Sequence, residues 1–141
     1  MRYMLDTDIF TLAYHDRAGL RARIERVRPP DAVCISTVLR VEVLIGRFDA
    51  VRKAATGRDV LLQQMNIERS EEYLARYTLV RFDEAASAFF EAFRTGRKPL
   101  KIGRADLLIA CIALAHNATL VTRNVKDFAA VPQLTLENWA D

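Results

Sequence analysis

Histidine and cysteine are scarce in this 141-residue chain, with two of each, and that scarcity removes several chemistries at once. His15 and His116 have no partners at ligand spacing and read as surface or helix-end residues. No histidine-based triad is therefore available to a serine or cysteine nucleophile. Cys34 and Cys111 lie inside apolar runs (Val33-Cys34-Ile35 and Ala110-Cys111-Ile112). They read as buried free thiols of a cytosolic protein rather than as a disulfide or a metal pair. The five glycines are scattered, so no glycine-rich loop cradles a phosphate. No apolar stretch reaches the roughly eighteen residues of a membrane span. The N-terminus runs straight into Met1-Arg2-Tyr3-Met4-Leu5-Asp6 without the pattern of a secretory signal. The expectation is a cytoplasmic protein with no membrane partner. No repeat, low-complexity tract or linker divides the chain, and its length suits a single domain over residues 1–141 with a core of its own.

What the chain does have is carboxylates in apolar surroundings. Asp6 ends the run Tyr3-Met4-Leu5, and Glu42 interrupts Val38-Leu39-Arg40-Val41-Glu42-Val43-Leu44-Ile45. Asp106 opens Asp106-Leu107-Leu108-Ile109-Ala110-Cys111-Ile112-Ala113-Leu114, and Asp127 follows the strand-like Thr119-Leu120-Val121-Thr122. A buried carboxylate is costly unless it is protonated, paired or bound to a cation. Four of them converging would repel one another, and a divalent cation is the simplest cure. Magnesium takes hard oxygen ligands, and a few carboxylates with water and a substrate phosphate suffice. Structural roles compete for three of the four: Asp6 and Asp106 could cap helices, and Asp127 could cap a turn at Asn124-Val125-Lys126-Asp127. Glu42 resists that explanation best.

The spacing predicts alternating strands and helices. Residues 2–5 read as a short buried strand, Thr7 to Tyr14 as a helix, and Ala18 to Val27 as a second amphipathic helix stopped by Pro29-Pro30. Ala32 to Ser36 reads as another buried strand, with Thr37 capping a helix that ends near Gly46. With Val38 at zero, Val41 and Ile45 lie within roughly 60° and Glu42 about 40° away. That places Glu42 inward, with Arg40 and Arg47 outward. Residues 48–76 read as one or two charged helices broken near Gly57. Thr78 to Phe82 is strand-like, and Asp83 to Arg94 is a helix with Ala86, Phe89, Phe90 and Phe93 on its apolar face. Arg104 to His116 is apolar nearly all round, as a buried helix is. Asp106 lies in its first turn, where the helix dipole favours a negative charge. Ala118 to Thr122 is a further strand, and Leu134 to Leu136 a last edge strand. The pattern is an α/β sandwich with a central parallel sheet, and ligands in such sheets gather beyond the carboxyl ends of the strands.

The net charge is +3 with a pI near 9.1. Arg94, Arg97, Lys98, Lys101 and Arg104 form a basic run without an acid, ending two residues before Asp106. A cationic rim beside an acidic centre suits a polyanion whose scissile phosphate meets a metal. A solvated loop is the plainer explanation of the run taken alone.

Taken in order, Leu5-Asp6-Thr7-Asp8, Ser36-Thr37 with Val41-Glu42 and Gly46, Gly103 to Ala110, Leu120-Val121-Thr122-Arg123-Asn124 with Asp127-Phe128, and Leu136-Glu137-Asn138-Trp139 span the chain. That ordered set resembles the PIN domain family and, more narrowly, the VapC-type ribonuclease toxins of toxin–antitoxin operons. The resemblance implies an α/β/α fold and endonucleolytic cleavage of RNA dependent on magnesium, with manganese as an alternative. It also implies two protein contacts, a homodimer and a cognate antitoxin. By position, Asp6 and Asp106 would be the principal metal ligands and Glu42 a further acid of the site. Thr7, Thr37 and Thr122 would be supporting hydroxyls. The sequence departs from the family pattern at Asn124, where many members carry an aspartate. Asp127 takes that role instead, and the number of metals stays open. Asp8 also replaces the usual Asn or Ser, which alters local hydrogen bonding. Arg97, Lys98, Lys101 and Arg104 are the candidate RNA contacts.

Two other classes compete. A haloacid-dehalogenase-type phosphatase would use Asp6-Thr7-Asp8 as its Asp-x-Asp, but Phe10 stands where that motif continues with Thr or Val, and its late acidic pair is missing. A catalytically silent PIN-like binding module would have lost a core acid, yet Asp6, Glu42 and Asp106 all stand.

Overall fold

Short apolar runs punctuated by capping residues build the sheet, and the computed structural model describes all of residues 1–141. Its strands are β1 (Arg2–Leu5), β2 (Ala32–Ser36), β3 (Thr78–Val80), β4 (Ala118–Val121) and β5 (Leu136–Glu137). They form one sheet in the order β3-β2-β1-β4-β5, and every neighbouring pair is parallel. A parallel sheet needs helices on both faces. Here they are α1 (Thr7–Tyr14), α2 (Leu20–Glu25), α3 (Thr37–Arg52), α4 (Gly57–Leu74), α5 (Glu84–Arg94), α6 (Arg104–Ala115) and α7 (Val125–Phe128).

The period-two alternation of strand side chains divides the core in two. Met4, Cys34 and Leu120 pack with Ala86 of α5, Ile109–Ala113 of α6 and Phe128 of α7. Leu5, Ile35 and Val121 face the other way, onto Ile9, Phe10, Leu20, Leu39 and Tyr73. Cys34 and Cys111 are both buried and free, and burial pushes each thiol up to about 11. Register aligns the strand tops: Leu5 lies opposite both Ile35 and Val121. The residues that follow these strands, Asp6, Thr37 and Thr122, therefore arrive at one rim. No helix is long and apolar enough to cross a membrane.

Several boundaries differ from the sequence expectation, each for a local reason. The second helix covers only Leu20–Glu25, because Asp16, Ala18 and Gly19 adopt positive φ angles and turn the chain before it. The third helix passes through Gly46 to Arg52, and its N-cap is Ser36 rather than Thr37: Ser36 Oγ accepts the Leu39 N–H at 3.0 Å. Packing against α4 holds this helix across the glycine, whose intrinsic cost is only about 1 kcal/mol. The inward face of α3 centres on fully buried Leu39, so Val41 and Ile45 are 53% and 61% exposed. Arg47 turns inward instead, its Nε donating to Ser70 Oγ at 2.9 Å and its guanidinium lying over the Tyr14 ring. The strand after Tyr77 stops at Val80, the last strand is Leu136–Glu137, and Asn124–Asp127 belongs to a short helix start rather than a plain turn. His15 and His116 sit at helix C-termini, as expected.

Candidate active site

Asp6 is fixed twice over at the top of β1. Its backbone N–H donates to Val121 O at 3.0 Å, tying it to β4, and its side chain caps α1 by accepting the Ile9 N–H at Oδ1, 2.9 Å away. Oδ2 accepts a short hydrogen bond from the Thr122 hydroxyl, and Thr122 Oγ1 accepts the Asn124 N–H at 2.9 Å. The relay Asn124 N–H to Thr122 to Asp6 thus sets one carboxylate from a loop 116 residues away in sequence. Asp6 is 6% exposed. Burial, reinforced by repulsion from Asp8 and Asp106, pushes its carboxyl up to about 6 despite those two hydrogen bonds.

Asp106 enters from the first turn of α6, half-buried. Desolvation raises it above the usual carboxylate range, and Glu42, Asp127 and Asp8 raise it further by repulsion. Glu42 reaches the rim from α3, about 60° round the helix from Leu39, and its Oε1 accepts the Thr7 hydroxyl at 2.7 Å. Asp127 is exposed in α7, where Oδ2 accepts from Asn124 Nδ2 at 2.9 Å. All four acids singled out from the sequence thus act on one neighbourhood centred between Asp6 and Asp106. Asp8 joins them as a fifth. In the sequence it reads as a local substitution, but an Asp-x-Asp at a strand top puts both charges beside the same helix start, and that spacing is the available signal.

Thr7 and Thr122 hold carboxylates as expected. Thr37 makes no such bond; it lines an open cleft of about 460 Å³ together with Val38, Val41, Glu42, Arg104 and Leu108. Of the basic candidates, Arg104 alone lines this cleft, its guanidinium lying 5.3 Å from the centroid of the Phe90 ring. Arg97, Lys98 and Lys101 lie exposed on the segment before α6 and make no ion pair. Asn124 positions Asp127 through its amide and also supports Thr122 through its backbone.

None of Asp6, Asp8, Glu42, Asp106 and Asp127 has a cationic side-chain partner. No three of them close into a ready-made cage. This donor set is hard, negative and uncompensated, and its ligand shell is open. It fits a cation that keeps waters and shares its shell with a substrate phosphate, which is how magnesium is commonly held.

The PIN domain model matches residues 3–134, and the chain belongs to the PIN domain family. Within that family, relatives that match over nearly their whole length include ribonucleases named VapC. Ribonuclease VapC2 of Rickettsia felis is 32% identical over 142 residues, covering 99% of this chain and 98% of that protein. The tRNA(fMet)-specific endonuclease VapC of Salmonella typhimurium is 25% identical over 146 residues, covering 99% and 98%. Among solved structures, VapBC2 from Rickettsia felis bound to a DNA fragment from its promoter matches with a TM-score of 0.81 at 32% identity, covering 99% of both chains. VapBC-1 from nontypeable Haemophilus influenzae matches with a TM-score of 0.68 at 26% identity over the whole of both chains. The family match replaces the phosphatase reading of Asp6-Thr7-Asp8.

Proposed function

We propose that this protein is a metal-dependent endoribonuclease, the toxin of a toxin–antitoxin pair, using magnesium or manganese. One observation carries the reading: Asp6, buried, and Asp106, half-buried, are both held above the usual carboxylate range by desolvation and by neighbouring acids, with no cationic side chain to relieve either. The names of the relatives, ribonuclease and tRNA(fMet)-specific endonuclease, support the substrate class.

Asp6 and Asp106 would hold the cation, with Glu42 and Asp127 flanking it. A divalent ion there would supply an activated water and neutralise charge on the departing oxygen. The chain's own residues do the rest. Thr122 and the Ile9 N–H fix both oxygens of Asp6, so its lone pairs keep one orientation through the reaction. Thr7 holds Glu42 against the rim, where its free oxygen can accept a proton from the attacking water. Arg104 offers a guanidinium to a phosphate beside the scissile one, and the apolar wall of Val38, Val41 and Leu108 can receive a splayed base.

The antitoxin belongs to the same proposal, supported by relatives solved as VapBC complexes. Exposed Val41, Ile45, Phe48, Leu61, Leu62 and Met65 on α3 and α4 are apolar side chains that an antitoxin or a second copy of the chain would cover. Contiguous exposed apolar patches mark protein contacts. The test is incubation of total RNA with purified protein in magnesium, manganese or EDTA, beside Asp6→Asn. Bands that vanish both in EDTA and in the variant are expected. Equal cleavage by wild type and variant would reduce Asp6 to a helix cap.

A further inference from the structure

The basic run before α6 has a counterpart near the N-terminus. Residues 17–28 hold Arg17, Arg21, Arg23, Arg26 and Arg28, with Glu25 as the only acid among them. Arg21 is spent internally, donating to Ala13 O and Tyr14 O. Arg23, Arg26 and Arg28 are exposed and line an open cleft of about 380 Å³ between α2 and the chain after β5. The two acids of that cleft are already engaged: Asp31 binds the N-terminal amine at 2.6 Å, and Glu137 accepts the Trp139 indole N–H at 2.7 Å. None of the three arginines has a carboxylate partner.

Two of these cations are held in place. Arg23 stacks on Trp139, its guanidinium 4.8 Å from the ring centroid, and Trp139 is itself buried against Tyr3 with ring centroids 5.1 Å apart. Stacking leaves the guanidinium's in-plane N–H fork free, the geometry that matches phosphate oxygens. Arg28 is pinned by the carbonyls of Glu25 and Val27. Tyr3 lies three residues before Asp6 on β1, which is about 10 Å along a strand. The cleft therefore runs along the flank of the sheet, from Asp31 just before β2 to Glu137, whose partner Val121 lies level with Leu5.

We propose that Arg23, Arg26 and Arg28 form a second RNA contact, an anchor for the substrate's phosphate backbone away from the scissile bond. The proposal rests on the ribonuclease reading above. Charge complementarity to a polyanion carries it: three cations without carboxylate partners, two of them preorganised, line one cleft apart from the acidic site. Phosphate contacts of this kind position a nucleic acid without reading its sequence. The anchor sets affinity for long RNA and leaves the choice of cleaved bond to the rim.

The test compares wild type with Arg23→Gln/Arg26→Gln/Arg28→Gln; all three side chains are exposed, so the core is untouched. Binding of bulk transfer RNA, of a hexanucleotide RNA and of duplex DNA is measured in EDTA across a salt series. For transfer RNA the variant is expected to bind roughly tenfold more weakly, with the salt slope reduced by about 0.7 for each phosphate no longer neutralised. Hexanucleotide binding stays the same. In magnesium, KM for the long RNA rises while kcat and the cleaved position hold. An unchanged affinity and slope for transfer RNA would overturn the anchor, and so would an equal loss for duplex DNA, which would make the patch a general polyanion surface. Failure of the ribonuclease reading shows up separately, as wild type that leaves every RNA intact in both metals whatever the binding curves give.

Discussion

Asp6 and Asp83 do the same local job and carry opposite electrostatics. Each follows a strand, adopts an extended backbone and caps a helix by accepting the N–H three residues on, at 2.9 Å in both cases. At Asp83 the cap hydrogen bond from Ala86 dominates and holds the carboxyl below the usual range, with His116 Nε2 3.0 Å away adding attraction. At Asp6 burial dominates, two further acids repel, and the carboxyl is pushed up to about 6. A capping aspartate is thus no evidence for or against a site. What distinguishes the two is whether the neighbourhood supplies water and a cation or withholds both. Asp83 stabilises the metal-free fold, and Asp6 strains it.

Substitution by the isosteric amide separates the pair most sharply. Asp6→Asn is expected to reduce RNA cleavage by more than about a hundredfold, since even neighbours of metal ligands cost ten- to a hundredfold; Asp83→Asn should leave the rate unchanged in the same gel assay. Stability should invert the order. The Asp6 carboxyl titrates near 6 folded and at its ordinary 3.8 unfolded. Between those values the folded state holds the extra proton, so metal-free wild type loses stability as pH rises through that window, by about 3 kcal/mol in all. Urea unfolding in EDTA should show this loss in wild type and not in Asp6→Asn, and added magnesium should restore wild type alone. Asp83 has the opposite sign: its contribution is present above the ordinary carboxylate pKa and lost as pH falls below it.

Thr122→Val tests whether the relay, rather than the cap, tunes Asp6. Removing the hydroxyl donor should raise the Asp6 carboxyl further and weaken magnesium binding about tenfold, read by calorimetric titration. Asp106→Asn should lower the Asp6 carboxyl only slightly, because burial is the main cause and Asp106 the smallest, so the pH window of stability loss in the same urea series should move down a little. The smallest effect is expected from Asp83→Ala: loss of one cap, lowering Tm by about 2–5 °C in a thermal scan, with cleavage intact.

The parts of the fold legible in the sequence were those with hard punctuation. β1, α1 and β2 fell within the expected bounds because buried runs there end at Asp6, Tyr14 and Ser36. Helix α3 was harder, since apolar residues cover most of its circumference and periodicity could not say which arc met the core. Tertiary packing chose Leu39, leaving Val41 and Ile45 outside and drawing Arg47 in. Asp6, Glu42 and Asp106 were legible because each broke an apolar pattern, and Asp127 only because it follows a buried strand. Asp8 and the arginine cleft were not, for the reverse reason: charged residues in charged or turn-like stretches look like ordinary surface until the fold shows what they face.

β1 is the middle strand of the sheet, and it waits for a neighbour supplied only at residues 118–121. Thr122, which sets Asp6, comes later still. One oxygen of Asp6 is thus held by Ile9, three residues on, and the other only by a hydroxyl 116 residues later in the sequence. A nascent or truncated chain ending before Thr122 has no assembled rim.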